Sequence, residues 1–370
     1  MKIAILTLPL HANYGGILQC YALQIILRRM GHEVFLLERA RFGRLYPFIK
    51  AWENCKYFFK HCFSYKEISQ FIIPEKIVTL RIDRFIHRYI VRFYKRIWTL
   101  DVLRQFDMFI VGSDQIWRTE YFYPIEDAFL AFTRNLHVKR VAYAASFGVE
   151  QCNYSTEQLA ICSALLKNFN HVSVREKSGV KICRDYFGVE AEQMIDPTLL
   201  LEADDYRKLL YSCKARTSKK YLLVYILDET EEKRKIVEQI AKSRDLVPYW
   251  LSNDKNKFSS GGIKMSVEQW LRAFDESEFV FTDSFHGCIF SILFKKSFVV
   301  MGNENRGITR FTSLLNLFSL HERLVFSYEE YTSKRKLLME KIDFIPVSEK
   351  LMKERDRAFY FLEKCLLENI

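Results

Sequence analysis

Short apolar runs alternate with helix-length segments along most of this chain, and that alternation confines it to a parallel sheet with crossover helices. Candidate strands are 3–8, 34–38, 108–111, 140–145, 171–174 and 193–195. A second series follows at 221–226, 247–251, 279–282 and 297–301. The polar stretch Tyr211–Lys220 (YSCKARTSKK) separates the two series and is the best domain boundary. At 370 residues the chain exceeds the size at which one core stops growing. The expected architecture is therefore α/β, with two domains at 1–210 and 221–328. The charged segment 329–370 reads as a helical tail that packs back on the first domain.

The region from 41 to 100 is aromatic, basic and without strand signals, and reads as helices inserted into the first domain. Much of the net charge of +11 sits between Arg81 and Arg96 (RIDRFIHRYIVRFYKR). Arg and Lys mixed with Phe, Ile and Tyr at helical spacing describe an exposed helix with a buried stripe. The alternative is a face that docks on an acidic membrane surface. Nucleic-acid binding is disfavoured, because no recognised motif accompanies the charge. The N-terminus reads as a first strand and not as a signal peptide. No apolar run reaches the roughly 18 residues of a membrane span. Nine cysteines without C-x-x-C spacing point to reduced thiols in a cytoplasm.

Polar motifs cluster where strands end, the usual ligand edge of a parallel sheet. Asn13-Tyr14-Gly15-Gly16 follows the first strand and opens a helix ended by Gly31. Glycines there let backbone approach a ligand, and free N–H groups at a helix start attract an anion. The pattern is not G-x-G-x-x-G, so no dinucleotide fingerprint is present. Gly112-Ser113-Asp114-Gln115-Ile116-Trp117 combines small residues, a carboxylate and an amide, a mixture suited to sugar hydroxyls. Its structural alternative is a capped turn with Trp117 in the core. Ser173-Val174-Arg175-Glu176 offers a guanidinium to a phosphate or carboxylate. Asp196-Pro197-Thr198 reads mainly as a strand-to-helix junction. Thr282-Asp283-Ser284-Phe285-His286-Gly287 is the sharpest motif. It places a histidine at the start of a helix beside a carboxylate. His286 there can serve as a general acid, with Asp283 orienting the ring. Arg306 and Arg310 share a helix face and can complete an anion site.

Taken together, the stretches NYGGILQCYALQ, DMFIVGSDQIW, VAYAASFG, VSVREKSG, MIDPTLLL, FTDSFHG and NRGITRF, in that order, resemble the polysaccharide pyruvyl transferase family. The resemblance covers most of the chain from Lys2 to about Leu324 and leaves out the inserted region and the tail. It implies a glycosyltransferase-B-like fold with two Rossmann-like domains, 1–210 and 221–328, facing across a cleft. It implies a transfer of pyruvate from phosphoenolpyruvate to two hydroxyls of one sugar, giving a cyclic ketal during surface polysaccharide synthesis. The acceptor would be a lipid-linked or nucleotide-linked glycan in the cytoplasm, with peripheral contact at the inner membrane.

On this reading His286 protonates the donor's methylene carbon with Asp283 in support. Arg175, Arg306, Arg310, Ser284, Gly287, Asn13, Gly15 and Gly16 hold the donor. Tyr14, Ser113, Asp114, Gln115 and Trp117 meet the acceptor. No metal or cofactor beyond the co-substrate phosphoenolpyruvate is required. The main rival is a nucleotide-sugar glycosyltransferase of the same fold. It needs a ribose-binding carboxylate and a base-stacking pocket, neither of which stands out. A non-catalytic scaffold is the third option.

Overall fold

The computed structural model describes residues 1–38, 79–93, 99–212, 220–251, 264–302 and 307–368. Two parallel sheets organise them. The first contains β1 (Lys2–Leu6), β2 (Glu33–Leu37), β3 (Arg92–Phe93), β4 (Met108–Val111), β5 (Lys139–Ala145), β6 (His171–Val174) and β7 (Glu192–Gln193). Their order is β3-β2-β1-β4-β5-β6-β7. The second contains β8 (Tyr221–Tyr225), β9 (Val247–Trp250), β10 (Phe279–Thr282), β11 (Ser297–Met301) and β12 (Leu324–Val325), in the order β12-β11-β10-β8-β9.

The strands form because their side chains are apolar on both faces, as a sheet covered on both sides demands. β4 (MFIV) and β10 (FVFT) are buried at every position. Register follows from these runs: Ile3 pairs Met108, Met108 pairs Lys139, and Phe279 lies between Leu222 and Ser297. In each sheet the strand order reverses once, between β1 and β4 and between β8 and β10. Such a reversal opens a crevice at the carboxyl ends of the strands.

Helices cover both sheets. Around the first are α1 (Tyr14–Arg29), α2 (Leu80–Tyr89), α3 (Leu100–Leu103), α4 (Thr156–Leu166), α5 (Lys177–Ile182) and α6 (Ala203–Lys208). Around the second are α7 (Glu231–Arg244), α8 (Val267–Asp275), α9 (Phe285–Leu293), α10 (Ile308–Leu317) and α11 (Tyr328–Leu338). The last helix, α12 (Ile345–Leu367), returns to the first sheet. Arg355 on it donates to the carbonyls of Leu199 and Leu201, each at 2.6 Å, and Phe361 packs on Tyr143. Lys139 in turn donates to the Leu366 carbonyl at 2.7 Å, closing that helix's C-terminus.

One hydrophobic cluster runs through both halves, from Ile17 and Leu18 on α1 to Trp270 on α8 and Phe290 on α9. Tyr14 stacks on Trp270 at 5.4 Å and donates its hydroxyl to the Met265 carbonyl at 2.9 Å. The loops at the carboxyl ends of the two sheets are thereby brought into contact.

Residues 39–78 and 94–98 lie outside the described residues, so most of the insertion expected at 41–100 does too. Within its described part the strandless reading is corrected: Arg92–Phe93 pairs with Leu36–Leu37 as edge strand β3. Buried Gln24 bonds both the amide and the carbonyl of Val91, which turns the chain from α2 into that strand. Two residues are too few to leave a periodic signal. α2 buries Ile82, Phe85 and Ile86 and shows Arg84, His87 and Arg88 to solvent. Among the described residues no helix is long and apolar enough to cross a membrane.

Candidate active site

The site is assembled where the two reversals meet. From the first sheet come the start of α1, the loop after β4, Arg175 after β6, and Asp196. From the second come the start of α9 and Arg310 on α10.

Asp196 is the hub. It begins the turn Pro197–Leu199, where its Oδ1 accepts from the amide and hydroxyl of Thr198 at 3.0 and 2.7 Å. Its Oδ2 accepts from Arg175 Nη1 at 2.6 Å and Ser113 Oγ at 3.2 Å, and lies 3.7 Å from His286 Nε2. Burial works to raise this carboxyl, but His286, Arg175 and Thr198 outweigh it and hold it below the usual carboxylate range. Asp196 therefore stays charged beside the His286 ring.

Arg175 is almost wholly buried, and among the described residues its Nε and Nη2 have no hydrogen-bond partner. The Asp114 carboxylate stands 3.5 Å from Nη2. Its guanidinium lies 4.6 Å from the Phe285 ring centre, and that of Arg310 lies 5.2 Å from the same ring. Burial, and then the charge of Arg175, push Arg310 down to about 10. Two guanidinium groups sharing one ring in a dry setting favour an anion beside them. His286 Nε2, also buried, has no hydrogen-bond partner among the described residues.

The start of α1 faces this cluster. Asn13 occupies its N-cap without a side-chain capping bond, and no acid stands in the first turn. The Asn13 amide reaches instead toward Asp114 Oδ2 at 3.4 Å. A Cβ on Gly15 would fall 2.0 Å from His286 Nδ1, so only glycine lets the helix touch that ring. A Cβ on Gly16 would sit 3.4 Å from Asp114 Oδ2. The histidine and the aspartate thus flank neighbouring glycines. Gln19, one turn on, donates to Thr7 and accepts from the Ser113 amide at 3.0 Å, tying α1 to the loop after β4.

The structure redistributes several expected roles. Asp283 does not orient His286. Its oxygens accept from the Leu227 amide at 2.6 Å, the Asp228 amide at 3.1 Å and Lys233 Nζ at 2.6 Å. The residue before a helix start faces its own strand's neighbour, here β8, and the ring is met by Asp196. Trp117 is no acceptor platform: it is wholly buried, stacks on Phe129 and donates to the Ala128 carbonyl. Tyr14 likewise is engaged between the halves. Ser284 caps α9 by accepting from the Gly287 amide at 3.3 Å. Gly287 is needed for packing, since its Cβ would meet Thr282 Oγ1 at 2.3 Å. Ser113 holds Asp196, while Gln115 keeps a buried, unpartnered Nε2. Arg306 lies outside the described residues. Glu176 is buried, and its Oε1 accepts from Ser146, Phe147 and Gly148.

Sequence reasoning left Asp196 as a junction and missed Gln19 and Lys233. The signal for Asp196 was its place at a strand end, shared with the motifs that were chosen. Among the described residues no group of His, Cys, Asp and Glu could hold a metal ion. Burial pushes the thiols of Cys20, Cys162 and Cys365 up to about 12, so none is a nucleophile at neutral pH.

Comparison with known proteins decides the family. The sequence matches the polysaccharide pyruvyl transferase family over residues 13–305. The chain belongs to that family. No curated protein matches the sequence. The fold is similar to that of UDP-GlcNAc 2-epimerase from Neisseria meningitidis, at TM-score 0.53 and 11% identity, covering 100% of both chains. It is also similar to the enzyme from Methanocaldococcus jannaschii, at TM-score 0.51 and 12% identity, covering 98% of this chain and 100% of that one. These likenesses concern the fold alone. This pyruvyl transferase family member therefore has the glycosyltransferase-B-like arrangement of two parallel α/β units.

Proposed function

We propose that this transferase moves pyruvate from phosphoenolpyruvate onto two hydroxyls of one glycan sugar as a cyclic ketal. The observation that carries the reading is the pairing of His286 with Asp196 beside two buried arginines and the uncapped start of α1. Phosphoenolpyruvate has a phosphate and a carboxylate on one carbon. Arg175, Arg310 and the free N–H groups of α1 are suited to both.

His286 gives a proton to the methylene carbon, and C2 becomes electron-poor. One sugar hydroxyl adds to C2, phosphate departs with its bonding pair, and the second hydroxyl closes the ring. Of the two hydroxyl protons, one replaces that given by His286 and one leaves with phosphate. A positioned acid contributes about a hundred- to ten-thousand-fold in rate. Charges already in place around the leaving phosphate add to that. A lipid-linked or nucleotide-linked glycan precursor of a surface polymer is the acceptor class this reading favours.

The test is phosphate release from phosphoenolpyruvate with a panel of lipid-linked and nucleotide-linked sugars, with product mass read in parallel. Acceptor-dependent release with an added pyruvyl group is expected. His286→Ala should abolish release and keep the rise in melting temperature that phosphoenolpyruvate gives. Full turnover by that variant would refute the acid role.

A further inference from the structure

The reaction proposed above removes two hydroxyl protons, and an acid poised to protonate carbon cannot take the first of them at the same moment. A base must stand at the acceptor side. The buried carboxylates near the site can be sorted by what their oxygens already do. Asp196 has all its lone pairs engaged by Thr198, Arg175, Ser113 and the neighbouring His286. Asp283 is taken by two amides and Lys233. Glu176 is held through one oxygen by Ser146, Phe147 and Gly148, and among the described residues its other oxygen has no partner.

Asp114 differs. Its Oδ1 accepts from the Gln115 amide at 2.9 Å and faces Arg175. Among the described residues its Oδ2 has one long contact, 3.4 Å, with the Asn13 amide. That oxygen faces Gly16, while His286 faces Gly15. Acid and carboxylate are thus held on two sides of one helix start, with Arg175 between them. Asp114 is nearly buried and has φ of 61°, a left-handed conformation that few residues other than Gly, Asn and Asp adopt.

Resting on the pyruvyl-transfer reading, we infer that Asp114 is the base that takes the proton of the attacking sugar hydroxyl. As the O–C2 bond forms, the hydroxyl proton passes to Asp114 Oδ2 while His286 delivers its own to the methylene carbon. The second hydroxyl then loses its proton to the departing phosphate, and the proton held by Asp114 returns through solvent to His286, resetting both groups. Atoms and charge balance without a metal or a redox partner.

The experiment compares wild type, Asp114→Asn and Asp114→Gly in acceptor-dependent phosphate release. Both variants tolerate the left-handed backbone, so the fold survives. Release should fall about a hundred- to ten-thousand-fold in each. The melting-temperature rise with phosphoenolpyruvate should persist. Sodium formate should restore part of the activity of Asp114→Gly and none of that of His286→Ala, which a purely structural role would not produce. Release by Asp114→Asn within tenfold of wild type, or a loss equalled by Glu176→Gln with no formate rescue at position 114, overturns the assignment. Silence of the wild type with every acceptor overturns the parent reading instead.

Discussion

Each sheet runs a strand beside its order reversal into a long helix, yet the two junctions are opposite in chemistry. Between β1 and α1 the helix start has no acid in its first turn, no side-chain cap, and two glycines against His286 and Asp114. Between β8 and α7 the side chain of Thr230 accepts from the Lys233 amide, and Glu231 and Glu232 fill the first turn. The Leu227 and Asp228 amides, which in an α/β half can hold a phosphate, are taken by Asp283, itself neutralised by Lys233. A helix start draws an anion only while its N–H groups and dipole are unclaimed. The first half keeps that capacity, and the second has satisfied it internally. This contrast favours a phosphorylated acid at α1 over a nucleotide diphosphate at α7.

The harshest way to test the contrast is to open the second junction. Lys233→Met leaves a buried carboxylate without its cation, which costs about 3–5 kcal/mol. Denaturant unfolding should show that loss, and adding Asp283→Asn should recover much of it. The phosphoenolpyruvate response of the folded variant should be unchanged. Binding of UDP by the variant but not by wild type would show that the plug is what keeps diphosphates out. Next comes crowding of the first junction. Gly15→Ala puts a methyl where the His286 ring lies. Overpacking there costs about 1–3 kcal/mol, and a displaced acid lowers turnover about a hundredfold. Normal turnover by Gly15→Ala would mean that the ring moves freely, and the close contact would lose its meaning.

The architecture was largely legible because each strand is an unbroken apolar run and each loop after it carries polar residues. His286, Arg175 and the Gly15-Gly16 pair stood out for that reason. What stayed hidden depends on distance through space. Asp283 is the near neighbour of His286 in sequence, but the start of α9 turns it toward β8, and Asp196 from the other sheet supplies the partner. Tyr14 and Trp117 read as sugar platforms because aromatic residues in polar loops often are. Here each meets another ring, Trp270 or Phe129, and the polar tip of each finds a carbonyl. Gln19 and Gln24 lie within the NYGGILQCYALQ stretch but show no chemistry of their own in the sequence, yet each satisfies backbone groups that the fold would otherwise leave buried and unpaired.

Protonation offers a smaller and independent probe of the same hub. Asp196 has a folded pKa below its unfolded one, because His286, Arg175 and Thr198 outweigh its burial. Its contribution is therefore complete above the unfolded value of about 4 and is lost as pH falls toward the folded value. Hydrogen bonds to a charged group suggest about 2 kcal/mol. Unfolding free energy measured from pH 7 down to 3 should fall more steeply for wild type than for Asp196→Asn. Parallel curves would show that the carboxylate is not stabilised as its surroundings imply.

The smallest expected effect separates a cap from a site. Thr230→Ala removes the side-chain bond to the Lys233 amide and should cost about 1 kcal/mol. It frees one N–H at α7 but leaves Glu231 and Glu232 in place, so an anion still meets like charge there. Neither phosphoenolpyruvate nor inorganic phosphate should raise the melting temperature of this variant more than that of wild type. If either did, capping alone, and not the acidic turn with its Asp283–Lys233 plug, would be what distinguishes the two junctions. The asymmetry between the halves would then rest on a single hydroxyl.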